Sequence, residues 1–143
     1  MALGSIKVLF QKQNFGLLFI RLCLGGIMIM AGLSKFQGGK EGLSGVGKAI
    51  EVIGVSAPDG SILPFFFGIM AAGTELLGGL ALIVGYLFRP AVVGLLGVMA
   101  VATTLMYNLS DGDMSKFGYP MFVWMVLFGL LFTGPGTMSV QKD

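Results

Sequence analysis

A chain of 143 residues that is 55% hydrophobic and only 11% charged, with a mean hydropathy of +0.91, lacks the polar surface of a water-soluble domain. Its 24 glycines suit closely packed membrane helices, and its net charge of +2 comes from scattered lysines and arginines that could not follow a nucleic-acid backbone. With no histidine and a single cysteine, Cys23, the chain has no usual haem ligand, iron–sulfur ligand set, dithiol, internal disulfide or histidine-based hydrolytic triad.

Residues 1–14, with Lys7 and Lys12, form a short mixed flank in which SIKVLFQ reads as a short interfacial helix. Residues 15–36 are then apolar for about the 20 residues a bilayer requires and are predicted as the first span. A secretory signal peptide is the competing reading. It is rejected because the run is long, Arg21 interrupts it, and no small-x-small cleavage site precedes Lys35. At ~100° per residue, Arg21, Gly25, Met28, Gly32 and Lys35 share one helical face.

Residues 37–61 are too polar to span. Leu43, Val46, Ile50 and Ile53 recur at helical spacing, which predicts a short amphipathic helix on the membrane surface, ended by Pro58, Asp59 and Gly60. Residues 62–88 form the second predicted span, with one ionisable side chain, Glu75, near its middle. Gly68, Ala71, Ala72, Glu75, Gly78, Gly79 and Leu82 lie on one broad face, a small-residue stripe that lets another helix approach closely, so this face is predicted to point into protein.

Arg89-Pro90 marks a tight hairpin, and Pro90 suits the first turn of a third span, residues 91–109. The loop NLSDGDMSKFG follows. Its acids Asp111 and Asp113, with no further acid or histidine nearby, read as a solvated turn and not as a metal site. The fourth span is predicted at residues 119–133, with Tyr119 and Trp124 at the level of an aromatic belt, and Gly134-Pro135-Gly136 stops it. The sum is an all-α membrane protein, a four-helix transmembrane bundle forming one integral domain, with a short amphipathic surface helix between its first two spans. Both termini fall on one side, taken as cytoplasmic. Lys7, Lys12, Arg89 and Lys142 lie on that side and Lys35, Lys40, Lys48 and Lys116 on the other, so the positive-inside rule gives a tie.

A carboxylic acid in hydrocarbon is costly enough to mark a site by default. Glu75 could hydrogen-bond a quinone or accept a proton, or it could form a structural ion pair. At ~1.5 Å per residue it lies ~20 Å from the Arg89 end of its helix, while Arg21 lies ~9 Å and Lys35 ~30 Å from that side. Both bases are within reach, and Arg21 is the favoured partner because Lys35 can extend to water instead.

Three segments resemble the DoxX family of small four-helix bacterial membrane proteins, over nearly the whole chain: RLCLGGIMIMAGLSKF from Arg21, ELLGGLALIVGYLFRPA from Glu75, and GPGTMS from Gly134. The resemblance implies a bacterial inner-membrane location and draws attention to Arg21, Lys35, Glu75 and Arg89. Many relatives carry histidine in or near the last two helices and an acid after the closing serine; this chain has no histidine, and Gln141 follows Ser139-Val140. Activities tied to those groups are therefore not implied. Better-described relatives resemble subunits of a thiosulfate:quinone oxidoreductase. The expectation is a small accessory subunit of an electron-transfer or related membrane complex that ligates no cofactor or metal itself and contacts lipid and other membrane subunits. The alternative is a quinone-linked oxidoreductase subunit with Glu75 at the ligand site, a quinone or lipid lying between helices. A transporter or channel is disfavoured, because one intramembrane acid provides too little polar lining.

Overall fold

The computed structural model describes residues 2–58 and 60–141, with side chains from residue 12 onward. The side chains of Lys7 and the SIKVLFQ stretch, and residues Asp59 and Lys142, lie outside that description. In chain order the helices are α1 (Ala2–Gln37), α2 (Gly39–Gly47), α3 (Leu63–Val84), α4 (Phe88–Leu109) and α5 (Met114–Thr133), with a 3₁₀ segment, Lys48–Ile53, after α2. Among the described residues, Lys12–Gln37 of α1 and the whole of α3, α4 and α5 are long and apolar enough to cross a bilayer. The molecule is a four-helix membrane bundle with a shorter helix between its first two spans.

The helix limits correct the sequence reading in three places. The amino-terminal flank is not a separate interfacial helix, because α1 is continuous from Ala2. The second span ends at Val84, where Gly85 takes a left-handed conformation (φ 71°), and Arg89 lies inside the first turn of α4 and not in the hairpin, while Pro90 stands in that first turn as predicted. The fourth span begins at Met114, because the Asp113 carboxylate caps the polar turn ahead of Tyr119 by accepting from the Ser115 amide at 3.0 Å.

The α1–α3 seam organises the bundle. A Cβ on Gly25 would stand 2.6 Å from the Gly79 carbonyl oxygen, one on Gly79 2.7 Å from that of Gly25, and one on Gly32 2.8 Å from that of Ala72. The two backbones touch because these positions carry no side chain, as close packing in lipid requires. The predicted faces hold: Arg21, Gly25, Met28 and Gly32 are buried on α1, and Gly68, Ala72, Glu75, Gly78, Gly79 and Leu82 on α3. Around them, Leu24, Met28, Leu82, Val92, Leu95, Val123 and Leu127 form the apolar core shared with α4 and α5. Phe15, Phe19, Leu77, Phe122 and Phe132 are exposed and face the lipid.

The connecting helix α2 docks on α3. Leu43 is buried, and a Cβ on Gly68 or Gly47 would collide with the carbonyl of Leu43 or Pro64 respectively. Ile53, grouped with Leu43 by helical spacing, is 57% exposed, because the change to 3₁₀ geometry at Lys48 breaks the 3.6-residue period. At the other end of the bundle the Thr137 amide donates to Asn14 Oδ1 at 3.2 Å, which brings the carboxy-terminal segment beside the start of the first span.

Candidate functional site

The register of the α1–α3 seam decides the partner of Glu75. Gly25 opposite Gly79 and Gly32 opposite Ala72 put Ile29 level with Glu75. Lys35 then lies ~9 Å along the axis to one side and Arg21 ~12 Å to the other. Lys35 Nζ donates to Glu75 Oε1, and the carboxylate side chain is fully buried while that of Lys35 is 23% exposed. The expected Glu75–Arg21 pair is thus overturned: the lysine stem turns inward to the acid instead of extending to water. Glu75 Oε2 is buried with no hydrogen-bond partner among the described residues.

Arg21 has a different task. It is fully buried and meets no carboxylate among the described residues; its Nε donates to the Leu82 carbonyl at 2.8 Å and Nη2 to Ile83 at 3.0 Å. These belong to the last turn of α3, where helix carbonyls lack intrahelical donors. Nη1 donates to Pro135 at 2.6 Å and Met138 at 3.1 Å in the segment after α5, and the Phe88 ring centroid lies 5.7 Å from the guanidinium carbon. The amides of Val140 and Gln141 continue the contact by donating to the carbonyls of Val84 and Gly85. Gly85 is required here twice over, by its left-handed backbone and because a Cβ would run into Arg21 and Ser139. Arg89 is exposed at this same end, in the first turn of α4, remote from Glu75.

Beside the ion pair, an apolar groove of about 300 Å³ opens between the 3₁₀ segment, α3 and α4. Ile50, Phe67, Met70, Val98 and Val101 help to line it, Lys35 is its one charged lining residue, and Thr74 the other polar side chain. These walls carry no motif; only the position of Thr74 next to Glu75 could have drawn attention in the sequence. In the α4–α5 loop, the hydrogen bond from Ser115 to the exposed Asp113 carboxylate holds that acid below the usual aspartate range, so the DxD pair serves as turn and helix cap.

Four apolar helices, the first and third of the chain's α-helices joined by the Lys35–Glu75 pair, define a multi-pass membrane protein. The DoxX family model matches residues 16–108, well over half the chain, and includes Arg21, Lys35, Glu75 and Arg89. The chain belongs to the DoxX family. No curated protein and no solved structure matches it.

Proposed function

We propose that this chain is a small accessory subunit of an electron-transfer complex in a bacterial inner membrane, and that its groove receives the head of a lipid-soluble quinone. The lining of the groove carries the reading: apolar walls with a single ammonium, that of Lys35, among them. A quinone head is a flat apolar ring whose carbonyl oxygens accept hydrogen bonds, and the donor set fits it. Lys35 Nζ has three N–H groups and gives one to Glu75, leaving others for a ring carbonyl. Glu75 anchors the amine and offsets its charge, which hydrocarbon would otherwise oppose. Bound quinone would supply two-electron, two-proton chemistry to a partner that carries the redox centre. A purely bracing subunit is the other reading, and the groove beside Lys35 favours the quinone-linked one.

The test is binding in mild detergent. Short-chain quinone retained by the purified protein is extracted and quantified, and Lys35→Met should lower its occupancy at least about tenfold while Lys35→Arg keeps most of it. Wild-type protein that migrates without partner subunits and retains no quinone at saturating concentration overturns the proposal.

A further inference from the structure

Met70 and Thr74, which line the groove beside Lys35, also line a second groove, of about 530 Å³, that continues between α3 and α4 toward the hairpin joining them. At ~1.5 Å per residue its α3 wall, from Met70 to Ala81, is about 16 Å long. Ala91 and Gly94 stand on the α4 wall, and Val98 carries the same helical face on into the first groove. Among the described residues no ionisable side chain lines this continuation. The two grooves thus form one path, with an ammonium near one end and hydrocarbon walls along the rest. Glycines notch those walls. A Cβ on Gly73 would find nothing within 4 Å, and one on Gly94 would meet only the Thr74 methyl, at 3.1 Å. One turn to either side of Gly73, Ile69 and Leu77 project, 38% and 67% exposed.

We propose that the second groove holds the methyl-branched isoprenoid tail of a quinone whose head lies beside Lys35, an inference that rests on the head assignment above. The shared wall at Met70 and Thr74 is where the tail leaves the ring, and from there it follows α3 and α4 toward the opposite face of the membrane. A tail of branched units varies in width along its length. The recesses at Gly73 and Gly94 accept its methyl groups, whereas a straight acyl chain of uniform width leaves them empty and forfeits the contacts of their lining atoms. Selection between tails therefore rests on packing, because both are equally apolar.

The test is the affinity of the intact chain, at one detergent concentration, for three quinones with the same ring: one without a tail, one with a straight ten-carbon tail, and one with a ten-carbon tail of two isoprenoid units. Wild-type protein should bind the branched tail at least about threefold more tightly than the straight one, the worth of a few extra carbon–carbon contacts. Gly73→Leu, whose side chain has open space to enter, should fill the groove and erase that preference while the tail-less quinone still binds. Lys35→Met should weaken all three. If wild type binds the tail-less quinone but treats the two tails alike, or if the preference survives in folded Gly73→Leu, the tail groove falls and the head site stands. Binding of none of the three removes the head site, and the tail groove with it. Should Gly73→Leu not fold, the wild-type comparison of the two tails decides. A phospholipid that stays bound to wild type at saturating branched quinone and is lost from Gly73→Leu gives the groove to an acyl chain and overturns the proposal.

Discussion

Among the described residues, Arg21 is held in the bundle by backbone carbonyls and meets no acid. Four carbonyl oxygens from two separate segments surround its guanidinium, and the planar fork reaches them in directions that a lysine ammonium cannot combine. Arg21→Lys is therefore expected to lower stability by about 3 kcal/mol or more, since charged hydrogen bonds are lost and buried carbonyls are left unpaired. The check is a fall in melting temperature in detergent together with faster amide exchange at Val140 and Gln141, whose hydrogen bonds depend on the same contact. At this scale the sequence was half legible. Arg21, Lys35 and Glu75 stood out because ionisable groups are rare in apolar runs. Which base meets the acid did not, because helical spacing gives heights along each axis and not the offset between two axes. Nor do backbone carbonyls at Leu82, Ile83, Pro135 and Met138 leave any mark in residue type.

Between elements, the glycines of α1 separate into two kinds. Gly25 has the Gly79 carbonyl against it, whereas nothing lies within 4 Å of the place a Cβ on Gly26 would occupy. Gly25→Ala should push α1 away from α3, weaken the Lys35–Glu75 contact and lower the melting temperature. Gly26→Ala, one residue on, should be neutral or stabilise by up to about 1 kcal/mol through helix propensity alone. Parallel thermal unfolding of the two variants decides it, and equal destabilisation would sink the seam argument. This seam was readable in advance, since small residues recurred at helical spacing on both partners. The docking of α2 was not, because Gly47 and Gly68 meet carbonyls of residues that share no pattern with them.

For the whole molecule, α1 runs from the side that holds residues 134–141 to the side that holds α2, and the hairpins after α3 and α4 lie on opposite sides. Ser56→Cys and Val140→Cys, each in a Cys23→Ala background, should therefore react with a membrane-impermeant maleimide from opposite sides. If the termini lie in the cytoplasm, as the sequence reading expects, only Ser56→Cys is labelled in intact cells, and labelling of both from outside would contradict four spans. The architecture and the inward faces followed from hydropathy and period, whereas the groove beside Lys35 depends on how far α3 and α4 diverge, which only the assembled helices reveal.

The clasp on Arg21 also bears on how the chain is made. Its acceptors at Pro135 and Met138 leave the ribosome only after all four spans. Until then a positive charge from the first-inserted helix has only part of its final cage, which hydrocarbon opposes. Completion of the bundle is thereby tied to translation of residues 135–138, and a chain that ends before them lacks two of the four acceptors of Arg21.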